Sequence, residues 1–497
     1  MAKPHALIIG GSIAALGATL ALTSRGFAVT CIEKDAAPMP KDHHEAWRTW
    51  ARDGAGQTRH SHVLLAPLLK LIRAEAPDFL ERLLECGAEV LTFADIARNT
   101  FENPQFEPED EDIAFIACRR VVFEYLLRRY MLDRGGFHDM DGSRVESLVV
   151  DHATAPPTVR GVVAKTPAGI QTLEADIVID ASGRNTQLER WFEAADLPTP
   201  EYESHPCGIF YTSRFYQLND GADYPAMDGR QSLAGGVQGV DLGYLKVGLF
   251  RSDNRTFSIT LAADPADTPM RAIANDGPFD IAVDAIKATQ AWVDPQTSQP
   301  ISKVYLYGNL TNSRRNFIRD GAPLLQSFYA IGDSHVHTNP IAGRGCALGW
   351  VSAFDLANSL ASNANPIEAA LRFDAAVQDD VLPWYRTQVR QDEQALEINR
   401  ALQRGEDPFD FVGADGAIDE AKQRTVIFRK GIRHASREDI NVLRALFRQV
   451  NLLDTPESLT KRSDLFAAVV KGYEAAKEES LTQRPLREDL LARFRSA

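Results

Sequence analysis

The chain is poor in cysteine and its five cysteines, Cys31, Cys86, Cys118, Cys207 and Cys346, are scattered with no C-x-x-C spacing. That argues against a zinc ribbon or a disulfide framework and points to a reducing cytoplasm. Dense Lys/Arg runs are also missing and the net charge is −14, so neither nucleic acid nor an anionic membrane surface is an expected partner. A neutral or hydrophobic small-molecule substrate fits better. Nor does any apolar run read as a membrane span. Ala6–Thr23 carries no charge, but Gly10-Gly11-Ser12 breaks it after four residues and no basic segment precedes it beyond Lys3. Repeats and low-complexity tracts are absent, and 497 residues at 44% hydrophobic suffice for two or three fused units.

What is present begins at once. His5-Ala-Leu-Ile-Ile9 reads as a buried strand, Gly10 as a sharp turn, the next residues as a helix, and Val29 to Glu33 as a second strand ending in an acid. The pattern Gly10-x-Ser12-x-x-Ala15 keeps the backbone bare where a pyrophosphate would lie on a helix N-terminus. Glu33 then falls where an acid takes ribose hydroxyls. This is a dinucleotide site.

Pro38 to Arg59 reads as a long loop and Val63 to about Cys86 as a helix; Glu102 to Asp112 is a loop or insertion, and Cys118 to Met131 is helical again. Val145 to Val163, with Pro156-Pro157 between β-branched runs, predicts hairpin strands. Ala175 to Asp180 is a buried strand ending in Asp180-Ala-Ser-Gly183. Residues 205–305 alternate as an antiparallel sheet with one face toward a cavity. Phe328 to Trp350 reads as strand, acidic turn at Gly332-Asp333, the loop Pro340-Ile-Ala-Gly343-Arg-Gly345, and a helix. Beyond Pro366 nearly all spacing is helical, serving as a cap or as the contact of a homodimer.

In this order the segments resemble the flavoprotein monooxygenases of the p-hydroxybenzoate-hydroxylase-like fold, over roughly residues 1 to 385. The resemblance implies an α/β fold. Its Rossmann-like FAD-binding domain would be discontinuous (1–75, 115–200 and 305–370), beside an antiparallel-sheet substrate domain (76–114 and 201–304) and a helical C-terminal region (371–497). It implies that Gly10, Ser12, Ile13 and Ala14, with Glu33 and Lys34, hold the ADP half of FAD, and that Val145 meets adenine. Arg120 and Arg59 would contact the cofactor, Asp333 the ribityl chain, and Ile341, Gly343 and Gly345 the isoalloxazine. Helix-start amides there would stabilise negative charge on the reduced ring. Catalytic positions would be His60, Pro340 and Gly343, with Tyr211, Arg214, Tyr216 and Phe250 toward substrate.

The implied reaction is insertion of one oxygen atom, as hydroxylation or epoxidation, through a flavin C4a-hydroperoxide. Halogenation and isoprenoid double-bond reduction on the same fold are the rivals. The Trp-x-Trp-x-Ile-Pro and Tyr-x-Trp-x-Phe-Pro segments that mark them are absent. A nicotinamide dehydrogenase or a flavin-free binding protein is disfavoured by the Gly-Asp segment, because neither has a ribityl chain to hold. Where related hydroxylases carry Ala-Asp-Gly, this chain has Ala181-Ser182-Gly183, and there is no second G-x-G-x-x-G unit. NAD(P)H is therefore expected as reductant either transiently at the flavin or through a separate flavin reductase. Two H-x-H pairs, His60/His62 and His335/His337, lack an acidic second shell, and no metal is expected.

Overall fold

The computed structural model describes residues 3–225, 232–233, 237–362, 365–404, 406–412, 416–478 and 485–496. It is a mixed α/β protein with several sheets and many helices. The strands that position the site are β1 (His5–Ile9), β2 (Ala28–Glu33), β3 (Phe137–Asp141), β4 (Ile177–Asp180), β5 (Phe210–Leu218), β6 (Lys246–Arg251), β7 (Thr256–Ala263) and β8 (Phe328–Ala330). Four helices matter equally: α1 (Ile13–Ser24), α2 (Arg120–Arg134), α3 (Gly345–Ser362) and α4 (Leu382–Gln403).

β1, β4 and β8 are nearly continuous apolar runs, as strands buried on both faces require. They form a parallel sheet in the order β8-β4-β1-β2-β3. α1 lies against this sheet and is apolar nearly all round, with Ile13 and Ala15 to Leu22 buried. It can be so because α3 covers its other side. Gly17 makes the crossing close: a Cβ there would stand 2.9 Å from Nε1 of Trp350, whose indole donates to the Ile13 carbonyl at 3.0 Å.

The second sheet is antiparallel, with β5 pairing β7 and β7 pairing β6. Behind it lie Asp276–Ala285 and Lys287–Val293, two helices inside a block whose alternation predicts only strands. Their Phe279, Ala282, Val283 and Trp292 fill a core with Phe257, Ile259 and Leu261, and Leu490 and Leu491 of Arg487–Ser496 complete it. Within that block, 226–231 and 234–236 lie outside the described residues.

Two further local expectations change, and one helix is new. The helix read from Val63 to Cys86 is two helices, Ala66–Glu75 and Pro77–Glu85, because Pro77 has no N–H and the residue before it is driven out of the helical region. The loop read over Pro38 to Arg59 contains His43–Thr49, started by the Asp42 side chain accepting from the Glu45 amide at 2.8 Å. A short helix, Phe93–Thr100, also precedes the acidic loop. Among the described residues no helix is long and apolar enough to cross a membrane.

Candidate functional site

The site begins where β1 ends. Gly10 has φ +109°, and a Cβ there would stand 2.6 Å from the Ala181 carbonyl oxygen, so the turns after β1 and β4 touch through bare backbone. Ser12 sits at the N-cap of α1, yet its side chain does not cap the helix. Its Oγ donates to Glu124 Oε1 at 2.8 Å and accepts from Arg120 Nη2 at 3.0 Å. Arg120 Nε also donates to Glu124 Oε1 at 2.7 Å. The first amides of α1 therefore face no side-chain acceptor and no acid in their own turn, which is the electrostatic requirement for holding a phosphate.

Glu33, at the end of β2, accepts from the Gly11 amide at 3.0 Å, the Asp35 amide at 3.0 Å and Arg52 Nη2 at 3.1 Å. Arg52 Nη2 donates also to the Gly11 carbonyl at 3.0 Å, while its Nε and Glu124 Oε2 are buried atoms without hydrogen-bond partners, Oε2 standing 3.8 Å from Arg52 Nη2. A buried donor and acceptor left open beside uncapped amides fit a polar dinucleotide. Neither Arg52 nor Glu124 is singled out by the sequence. For Glu124 the i,i+4 spacing after Arg120 is the available signal; Arg52, in a polar loop, has none. Lys34 is exposed, and Val145 is buried at 4% on the strand Arg144–Asp151.

At the other end, Gly332 has φ +60°, and a Cβ there would stand 2.9 Å from the Ala14 Cβ, so the Gly-Asp turn abuts the first turn of α1. Gly349 of α3 meets the same Ala14 at 3.5 Å by the same measure. Asp333 Oδ2 accepts from Gln57 Nε2 at 3.3 Å, and Gln57 Oε1 in turn accepts from the Tyr307 hydroxyl at 2.5 Å. Pro340–Ala342 is a single tight turn started by Asn339, whose Oδ1 accepts from the Ile341 amide at 3.2 Å. Gly343 follows in the left-handed region at φ +67°, ψ 13°. Gly345 opens α3, again with no acid in the first turn.

Between these ends lies the inner face of the antiparallel sheet. His60 is buried there, its Nδ1 3.0 Å from Ser213 Oγ and its ring 5.0 Å from that of Tyr211 and 5.5 Å from that of Tyr307. Burial pushes its imidazole down to about 3, so it is neutral at ordinary pH. Burial, then Arg120, likewise holds His62 well below the ordinary range. Arg120 Nη1 donates to His62 Nε2 at 3.2 Å, which leaves Nδ1–H to donate to the His60 carbonyl at 2.9 Å. Ser61, Ser213, Ser258 and Thr260 join in one hydroxyl chain at 2.7 to 2.8 Å.

Strand alternation divides the four residues expected toward substrate. Tyr211 shares its face of β5 with Ser213 and Phe215, and the pairing register carries Phe250 to that same face. Arg214 and Tyr216 point the other way, which corrects the expectation. Arg214 Nη1 donates to Asp280 Oδ1 at 2.6 Å, and Tyr216 stacks on Phe257 at 5.1 Å in the core behind the sheet. Arg59 is spent on backbone: it donates to the Trp47 and Trp50 carbonyls and lies over the Trp47 ring at 5.3 Å. His335 packs between Phe317 and Phe373, and His337 bonds the Thr311 carbonyl.

No protein-family model matches the chain. Protein Rv3254 of Mycobacterium tuberculosis is 27% identical over 233 residues, covering 44% of this chain and 46% of that protein, so the match spans less than half of either. Among solved structures, PqsL of Pseudomonas aeruginosa, described as a probable FAD-dependent monooxygenase, superposes with a TM-score of 0.54 at 15% identity over 86% of this chain and 99% of that one. The flavin-dependent brominase Bmp2 gives 0.54 at 15% identity over 95% and 99%. The anhydrotetracycline hydroxylase OxyS of Streptomyces rimosus gives 0.54 at 14% identity over 91% and 77%. At such identities the likeness is one of fold, and the fold is that of FAD-dependent monooxygenases and halogenases.

Proposed function

We propose that this chain is a cytoplasmic FAD-dependent monooxygenase that inserts one oxygen atom into a neutral or hydrophobic small organic substrate. The observation that carries the reading is the closing of the Gly332-Asp333 turn and of Gly349 in α3 on Ala14 in the first turn of α1, an uncapped helix start with Ser12 and Arg120 at one side and Asp333 at the other. A flavin dinucleotide needs this arrangement: amides for its phosphates, an acceptor for ribityl hydroxyls, and a second set of amides for ring charge. FAD supplies the oxygen-activating chemistry when bound. Gly10, Ser12, Ile13, Ala14, Glu33 and Arg120 would hold its ADP half, joined by Arg52, and Asp333 with the Pro340–Gly345 turn its ring half.

The remaining roles belong to the sheet face. Neutral His60, fixed against Ser213 Oγ, would hydrogen-bond a polar group of the substrate, and Tyr211 and Phe250 would enclose its apolar part. Halogenation routed through a lysine is the less favoured reading, since no lysine is among the buried side chains of the described residues. For the reductant, Ser182 Oγ donates to Asp180 Oδ1 at 2.6 Å. A hydroxyl tied in this way favours a separate flavin reductase over direct NAD(P)H contact.

The test is reconstitution with FAD followed by Asp333→Ala. Asp333 is engaged by a long bond from Gln57 and stands 3.9 Å from His337 Nε2, so the variant is expected to fold with little change in Tm and to lose at least about ten-fold in FAD affinity. Full retention of flavin would sink this assignment. Oxygen uptake with a product one oxygen atom heavier separates oxygen insertion from halogenation, and stopped-flow mixing with NADH or NADPH separates direct from relayed reduction.

A further inference from the structure

The turn at the ring end of the site is held from outside by one buried carboxylate. Asp392 of α4 is 6% exposed and receives four hydrogen bonds from side-chain amides, with the Cys207 thiol also against it. Asn339 Nδ2 donates to both its oxygens at 3.0 Å, Asn312 Nδ2 to Oδ2 at 2.7 Å, and Gln388 Nε2 to Oδ1 at 2.9 Å. Asn312 and Asn339 are themselves fully buried, and Asn312 Oδ1 accepts from the Asn339 backbone amide at 2.7 Å. Among the described residues no lysine or arginine lies within ion-pair distance of Asp392. Burial raises its carboxyl above the ordinary aspartate range, the bonds from Asn312, Asn339 and Gln388 and the more distant charge of Lys246 work against that, and an ionised carboxylate accepts all four bonds without bringing a donor of its own.

The far side of the turn is tied to the same helix. Arg344, between Gly343 and Gly345, lies over the Trp384 ring at 4.7 Å, and its Nη1 donates to Gln388 Oε1 at 3.3 Å. Trp384, Gln388 and Asp392 follow one another at i, i+4 and i+8, so one face of α4 grips both ends of Pro340–Gly343. Without that grip the turn has its own Asn339 cap and the backbone bonds from Ala342 N to Asn339 O at 3.3 Å and from Gly343 N to Pro340 O at 2.9 Å, and a Cβ on Gly343 would find nothing nearer than Val63 Cβ at 3.8 Å.

We propose that Asp392 is a positioning residue: through Asn339, Asn312 and Gln388 it sets the shape of the Pro340–Gly343 turn and so the aim of the α3 amides. The role in aiming those amides at a flavin rests on the reading of the previous subsection; the anchoring of the turn does not. Asp392→Asn keeps the volume but turns one acceptor into a donor that faces the donors of Asn339, Asn312 or Gln388.

The test uses the full chain, with and without FAD, as wild type, Asp392→Asn and Gln388→Ala. Hydrogen exchange followed by mass spectrometry is expected to rise about ten-fold over residues 340–345 in Asp392→Asn and less in Gln388→Ala, with the Gly10–Ala15 segment unchanged. With FAD bound, the visible flavin band of Asp392→Asn is expected to lose fine structure and its fluorescence to depolarise, while FAD affinity falls less than for Asp333→Ala. Unaltered exchange at 340–345, or a rise spread evenly over the chain, overturns the proposal. If Asp392→Asn does not fold, Gln388→Ala decides by the same criterion. Wild-type protein that binds no FAD would defeat the cofactor reading, while exchange in the FAD-free variants still decides the anchoring.

Discussion

α1 and α3 meet where Gly349 faces Ala14, and the N-terminal ends of the two helices are furnished in opposite ways. At α1 the surroundings are charged: Arg120, Glu124, Arg52 and Glu33 interlock within hydrogen-bond or ion-pair distance. At α3 the support is amide on carboxylate, with the carboxylate of Asp392 set back behind the turn. A group of constant charge, such as a pyrophosphate, is matched by fixed charges beside it. A ring whose charge changes during turnover is better served by dipoles, which neither demand nor repel a permanent ion.

The largest effect that bears on this contrast is expected from Arg120→Ala. It removes the nearest cation from Glu124, which is fully buried and would keep only the Ser12 hydroxyl and Arg52 at 3.8 Å, and breaking a buried pair costs about 3–5 kcal/mol. Thermal melting should fall accordingly, and fluorescence titration should show FAD affinity lower by at least about 100-fold. An unchanged melt would mean that the charges at α1 do not form one network. The glycines give the next comparison. Gly10→Ala drives a methyl into the Ala181 carbonyl and should leave protein that retains no FAD. Gly343→Ala meets only Val63 Cβ at 3.8 Å, an ordinary contact, and carries the left-handed backbone penalty, about 1 kcal/mol, so FAD affinity should drop about five-fold. Equal losses in the two titrations would break the distinction between close approach and conformation.

The smallest effect lies further along α3. Asp355 is part-buried with its Oδ2 unpartnered, and burial, then Asp380, pushes its carboxyl up to about 7. A carboxyl raised in the folded state lends stability below the ordinary aspartate range and loses it as pH climbs through 7. Differential scanning at pH 5 and pH 8 should show Asp355→Asn gaining about 2 °C over wild type at the higher pH only. A gain of equal size at both values would assign the effect to packing instead.

How much of this is legible in the sequence follows from how local each device is. β1, the Gly10 turn and α1 declare themselves because a buried strand and a bare helix start use neighbouring residues. Gly332-Asp333 and Pro340–Gly345 do the same. The face on which a strand residue lands is not local. Tyr211 and Arg214 sit three apart on β5, so alternation sends them to opposite sides, and only the packing of Asp276–Ala285 decides which side is the core. Arg52 and Asp392 lie in segments whose spacing says loop or plain helix, and their partners stand far away in sequence. The break at Pro77 was available from its chemistry, yet the apolar period runs on across it.

The core behind the antiparallel sheet holds Leu490 and Leu491, contributed long after its own strands in the order of synthesis. During translation that sheet must therefore wait, one apolar side incompletely covered, until Leu490 and Leu491 have emerged from the ribosome. The parallel sheet is also closed late, since β8 supplies its edge. Neither sheet is finished early enough to shelter the other, so apolar surface of both stays open during synthesis, the condition under which nascent chains are prone to associate.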